Sequence, residues 1–368
     1  MTTTTRSLVR LPLAGLAVVA ALSGAALVGS PTAQASPPAP AQAPAAAPAA
    51  SSGVVTHRNT LTPAVRKLVH GSGVAAEAKA VSTYWTPARM KQAKPLDGAT
   101  VAHRGQAPRQ QARPAPAPQG KAGAVAPARL ARTPKAVEVP SRSAARSSYP
   151  NLPYYSPLAR TNGKVFFTRA AKNYVCSATI VNSEGKSLVW TAGHCVVDGK
   201  IWDSNFAFVP SYSNGSRPYG TWYSRQLTTT SGWYNNRDFS QDVGAATMAR
   251  LSGWRITDYL GGQGITWNAS ANFYACAFGY PQAAPYTGAY LTEVCGSTYN
   301  AGNGTIYMYS GLTGGSSGGA WYRNLSGDWG YVNGHNDFIY TSSPSWMYSP
   351  YYGNQVATLY NAVRYQTS

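Results

Sequence analysis

Two short segments of the 368-residue chain carry residue types that do covalent chemistry. The first is the run from Ser187 to Cys195, SLVWTAGHC, where an apolar stretch ends in a small-residue turn that presents His194 beside Cys195. An imidazole fixed in this way suits general-base work. A base must stay within hydrogen-bond reach of the proton it removes, and a disulfide at the neighbouring residue would tether it. A histidine at a strand end is more often an ordinary turn or surface residue, so this feature needs a partner. The second segment, GLTGGSSGGA from Gly311 to Ala320, sets Ser317 among glycines. Such a turn reverses the backbone tightly and aims amide N–H groups inward, as stabilisation of an oxyanion requires. A flexible Gly/Ser linker has the same composition. The strand-like runs Thr305–Tyr309 and Ala320–Tyr322 on either side favour a positioned turn. A serine nucleophile and a histidine base together point to acyl transfer.

The elements that must hold these turns are short. From Lys164 onward, apolar residues come in β-branched and aromatic runs punctuated by Gly, Asn, Ser and Pro: Val165–Thr168, Leu188–Ala192, Phe206–Val209, Tyr274–Phe278, Thr305–Tyr309 and Gly330–Val332. Many short strands with frequent turns predict an all-β sandwich or barrel pair. One helix is expected, at the C-terminus, where Val356, Leu359, Tyr360 and Val363 make a single apolar face. Residues 151–368 also hold 23 of the 25 tyrosines and nine of the ten tryptophans. A polymer-binding face is one reading of that enrichment. Packing with a hydrated hydroxyl is the stronger one.

The N-terminal part differs. Residues 1–150 carry 18 Lys and Arg against three acids, and the remainder 13 against nine, so the formal charge of +19 belongs mostly to the leader. Its cations are scattered singly through Ala and Pro, which argues against a nucleic-acid partner. Residues 1–35 read as a secretory signal: Arg6 and Arg10, an apolar run from Leu11 to Val28, and the small-residue site Ala33-Gln34-Ala35. A membrane anchor is the competing reading, disfavoured by the Pro, Gly and Ser interruptions, and no lasting membrane association is expected. Residues 36–148 hold too few large apolar side chains to offset the entropy of ordering them, so this segment is expected to be largely disordered, with a short helix near Leu61–Val69 at most. Cys176, Cys195, Cys276 and Cys295 all follow it. An even count behind a signal sequence predicts disulfides in an oxidising, extracellular setting. Four cysteines allow three pairings; the pairing taken is 176 with 195 and 276 with 295, each closing a 19-residue span. Each bridge would stabilise the fold by about 3 kcal/mol. With no C-x-x-C pair and only His194 and His335 in this half, a zinc site fits poorly, and no metal or cofactor is expected.

Taken together, Thr191-Ala-Gly-His194-Cys195 and Gly315-Ser316-Ser317-Gly318-Gly319, in this order and behind a signal sequence, resemble the chymotrypsin-like serine peptidases, closest to their secreted bacterial trypsin-like and V8-like branch. The resemblance spans about residues 160–366. It implies two antiparallel six-stranded β-barrels with a C-terminal helix over residues 149–368, behind a zymogen pro-segment. It also implies a triad whose acid lies between His194 and Ser317. The candidates are Asp198, Asp203, Asp238, Asp242 and Asp258. Asp242, at the head of DVGAATM, matches the family's acid-then-strand pattern, with Asp238 as the fallback. The oxyanion donors implied are the amides of Gly315 and Ser317.

The resemblance also places Gly311 at the base of the primary specificity pocket, with His335 and Asn336 in its wall, His335 being equally readable as a packing residue. No carboxylate stands at the pocket base to attract Lys or Arg. Ser316 occupies the position where vertebrate digestive relatives carry an aspartate that captures a new N-terminus, so that activation switch is not expected. The implied function is a secreted, monomeric serine endopeptidase acting on protein or peptide substrates. A triad esterase and a non-catalytic peptidase homologue that binds through its cleft are the alternatives.

Overall fold

Val165 and Phe167 of the run Asn162–Arg169 (β1) fall on one side of the strand and Phe166 on the other, the two-residue period of extended chain, and both sides are buried. The computed structural model describes residues 53–96, 100–101, 120–138, 148–149 and 152–367. The signal-like residues 1–35 lie outside them. Strands Lys172–Ile180 (β2), Leu188–Thr191 (β3), Ser204–Pro210 (β4), Trp222–Thr230 (β5) and Gly244–Met248 (β6) follow β1. They pair antiparallel in the order β1-β2-β3-β6-β5-β4, and β4 returns to β1, closing a six-stranded barrel. Val165, Phe167, Ile180, Val189, Phe206, Phe208, Leu227 and Met248 fill its interior.

The second sheet contains Gly264–Trp267 (β7), Tyr274–Gly279 (β8), Leu291–Asn300 (β9), Thr305–Tyr309 (β10), Ala320–Ser326 (β11), Trp329–His335 (β12), Phe338–Tyr340 (β13) and Ser343–Pro350 (β14). Their order is β13-β14-β10-β9-β8-β11-β12-β7, antiparallel except for β12 with β7. Three short segments, Thr100–Val101, Gly123–Val125 and Ser148–Tyr149, add to this sheet, which with the closed barrel is consistent with the expected pair of barrels. Pairing breaks at Asn336 and Asp337 between β12 and β13, where the Asn336 amide instead donates to the carbonyls of Phe278 and Ser316. Disulfides join Cys176 of β2 to Cys195 and, across the β8–β9 ladder, Cys276 to Cys295, which is the expected pairing. The C-terminal helix Asn354–Val363 (α1) buries Val356, Leu359, Tyr360 and Val363, the face read from the sequence. Among the described residues no helix is long and apolar enough to cross a membrane.

The expectation of a largely disordered segment over 36–148 does not hold for residues 53–96. Val54–Arg58 adds an antiparallel strand to β5, and helices follow at Pro63–Arg66, Gly73–Tyr84 and Pro87–Gln92. Val65, Val81, Trp85 and Met90 are fully buried. They join Phe166, Tyr212 and Tyr223 in one apolar cluster, with the Trp85 and Phe166 rings 5.5 Å apart. A bulge in β4 receives this segment. There Asn205 adopts φ +54°, which asparagine tolerates better than most residues, and its carbonyl accepts the Trp85 indole N–H at 2.8 Å. Composition misled because it counts what a segment can bury against itself. Here the barrel supplies the other half of the core.

Candidate active site

β3 delivers its last residue, Thr191, to a tight turn at Gly193–Cys195 that carries His194. A Cβ on Gly193 would come within 2.8 Å of an Asp242 carboxylate oxygen, so only glycine lets the turn close on that acid. Beneath the turn, Arg169 forms a two-pronged ion pair with buried Asp203, both contacts at 2.8 Å, and also donates to the His194 carbonyl at 2.6 Å. The Cys176–Cys195 bridge fixes the next residue to β2. The histidine backbone is therefore held from three sides.

Asp242 enters from the head of β6 and is wholly buried. One of its oxygens accepts the His194 backbone N–H at 2.7 Å, and the other lies 2.8 Å from ring Nδ1. This pair of contacts orients the ring and assigns the Nδ1 proton to the Asp242 side, leaving Nε2 as the free base. Burial opposes ionisation of Asp242, but His194 outweighs it and holds the carboxyl below the usual carboxylate range. Burial likewise opposes charging His194, and Asp242 opposes burial, so that the imidazole lies above its ordinary value of 6.5. The other candidate acids have different work. Asp198 pairs with Arg237 at 2.8 Å, Asp258 with Arg255 at 2.5 Å, and Asp238 accepts from Ser240 at the start of a short turn.

Ser317 sits on a turn that only glycines permit: Gly315 has φ +95° and Gly318 φ +78°, and a Cβ on Gly318 would run into Thr191. Ser177 grips this turn, its amide donating to the Ser317 carbonyl at 2.7 Å and its hydroxyl to the Gly315 carbonyl at 2.9 Å. Asn336 holds it from behind, donating to the carbonyls of Phe278 at 2.8 Å and Ser316 at 3.1 Å. The Ser317 carbonyl lies 3.6 Å from Cys195 Sγ, so the serine turn rests against the histidine turn. Among the described residues no acceptor takes up the Gly315 or Ser317 amide. His194 Nε2 is buried and also without a hydrogen-bond partner.

A cavity of about 190 Å³ opens beside Ser317, lined by Leu312, Thr313, Phe338, Ile339 and Met347 together with Ser316 and Asp337. The three residues expected to shape it are placed elsewhere. Gly311 falls just outside the lining, and its neighbour Leu312 contributes instead. His335 points into the core, its Nδ1 2.9 Å from the Tyr352 hydroxyl, and burial pushes its pKa down to about 4. Asn336 serves the serine turn. Sequence reasoning missed the Arg169–Asp203 pair and the place of Asp337 beside His194; a lone Arg on one strand and an Asp 34 residues on give no local signal. Ser316 is buried and donates to the Thr313 carbonyl at 2.8 Å, with no carboxylate to capture an ammonium group.

Neither a protein-family model nor a curated protein matches the sequence. Solved structures do. The protease Anisep from Arthrobacter nicotinovorans is 36% identical, with a TM-score of 0.55, over 57% of this chain and 98% of its own. The thermostable serine protease AL20, from an extremophilic microorganism, is 35% identical, with a TM-score of 0.54, over 56% of this chain and 98% of its own.

Proposed function

The chain belongs to the chymotrypsin-like serine peptidases, and from that premise we propose that it is a secreted endopeptidase working through an acyl-enzyme on Ser317, with His194 as base and Asp242 as the acid that orients it. The double hydrogen bond between Asp242 and His194, to backbone and ring, carries this reading. It fixes the tautomer in which Nε2 accepts a proton. In the first half-reaction the Ser317 hydroxyl attacks the peptide carbonyl while Nε2 takes its proton. Nε2 then gives that proton to the departing amine, and water repeats the sequence on the ester. Charge gathers on the former carbonyl oxygen in each tetrahedral state. The uncommitted amides of Gly315 and Ser317 are the donors for it, worth about 3 kcal/mol each by analogy with measured oxyanion sites.

Cys176–Cys195 and Cys276–Cys295 suit an extracellular site of action. Residues 1–35 are assigned as the export signal and 36–148 as a pro-segment whose middle part packs on the first barrel. The peptidase unit is 149–368, and it acts as a monomer on protein or peptide chains.

Replacing Ser317 with Ala should abolish casein hydrolysis with an unchanged circular-dichroism spectrum, because the hydroxyl is the proposed nucleophile and the turn already accommodates small residues. His194→Ala should behave nearly the same. Wild-type turnover by the Ser317→Ala protein would refute the assignment.

A further inference from the structure

We propose that Asp337 is a positioning residue of this site, a buried carboxylic acid that lies against the His194–Asp242 pair and donates its proton to Asp242. The inference rests on the triad reading above and deepens it. Asp337 Oδ1 is 3.4 Å from His194 Nδ1, and donor atoms of His194, Asp242 and Asp337 all fall within 4.8 Å of one another. The Asp337 side chain has no exposed surface, and neither oxygen receives a hydrogen bond from a described residue. A carboxylate in that setting would be desolvated, without donors, and beside a second carboxylate. At about 4 Å and the screening found near protein interiors, two such charges repel by roughly 4 kcal/mol. A neutral acid removes that repulsion and supplies a donor where Asp242 has an acceptor to spare.

The surroundings agree. His194 comes from the turn after β3 and Asp242 from the head of β6. His335, at the end of β12, is kept neutral by burial, and Tyr352, beyond β14, accepts from Trp190 at its hydroxyl. Among the described residues no lysine or arginine forms an ion pair with Asp337. Burial first, and Asp242 second, push its pKa well above the carboxylate range. Its backbone is fixed at both ends: its amide donates to the Tyr348 carbonyl at 3.0 Å, and Asn336 before it grips the serine turn. Phe338 after it begins the pocket wall. Asp337 thus ties the imidazole, its acid and the substrate cavity into one rigid piece. A metal would compete poorly here, since Nδ1 and Asp242 already bond each other.

The test compares wild type with Asp337→Asn and Asp337→Ala in the full processed enzyme, with active sites counted by a fluorophosphonate so that unfolded protein does not enter the rates. Asn is neutral and keeps an N–H donor. It should hold kcat within about threefold and leave the midpoint of the acid limb of kcat/KM in place, while Ala lowers kcat about tenfold at unchanged KM. Infrared difference spectra should show a protonated carboxyl in wild type at neutral pH that Asp337→Asn lacks. An acid limb displaced downward by a full pH unit in Asp337→Asn would show that Asp337 is ionised and overturn the proposal. So would an Ala variant with wild-type kcat. If Ala fails to fold, the Asn profile and the infrared band decide alone. Absence of fluorophosphonate labelling in wild type would instead sink the triad reading, and Asp337's role with it.

Discussion

At His194 two effects oppose each other, and their balance has a measurable sign. Burial disfavours the charged ring, whereas Asp242 favours it, and the imidazole ends above its ordinary value. Only the neutral ring can accept the serine proton, so kcat/KM should climb with pH and reach half its plateau above the ordinary imidazole value of 6.5. A pH–rate profile of a small amide substrate checks this. A flat profile, or a midpoint below that value, would contradict the arrangement. His194 and Ser317 were readable as candidates in the sequence because each sits on a small-residue turn; a Cβ at Gly193 would meet Trp233 and Asp242, and one at Gly318 would meet Thr191. Asp337 was not, since a strand-end acid reads equally well as a pocket charge or a solvated residue. His335 misled for a related reason. Along an extended chain, neighbouring side chains face opposite ways, and sequence registers alone do not say which way His335 turns.

The strands and the terminal helix were read from their periods, which reflect burial against a neighbour within the same unit. The segment 53–96 escaped that logic because its apolar residues meet the outside of a barrel already complete. Trp85 concentrates the effect: its ring is fully buried against Phe166 and its indole N–H is bonded to the Asn205 carbonyl. Trp85→Ala in the full chain should therefore lower the unfolding free energy by about 3 kcal/mol, seen as an earlier midpoint in urea. An unchanged midpoint would mean that this segment is not part of the cooperative unit. Arg169 and Asp203 lie at the same scale. Their pairing links β1 to the histidine turn, and a contact between distant strands becomes visible only when the barrel closes.

Over the whole molecule, charge and cavity chemistry bear on what is cut. The cavity beside Ser317 offers Leu312, Phe338, Ile339 and Met347, and the one carboxyl in its lining, Asp337, is fully buried and faces His194. Among the described residues lining the cavity, no other acid is presented to a lysine or arginine side chain. Digestion of a peptide library should show uncharged side chains before the cut, and a majority of cuts after Lys and Arg would mean that Asp337 turns into the cavity. Every one of these expectations presupposes that Ser317 is the nucleophile. That point is tested most directly by incubating the processed protein with a fluorophosphonate and mapping the modified peptide by mass spectrometry. One adduct per molecule on Ser317, lost when His194 is replaced by Ala, is the predicted result; no adduct, or one on another residue, would contradict the account.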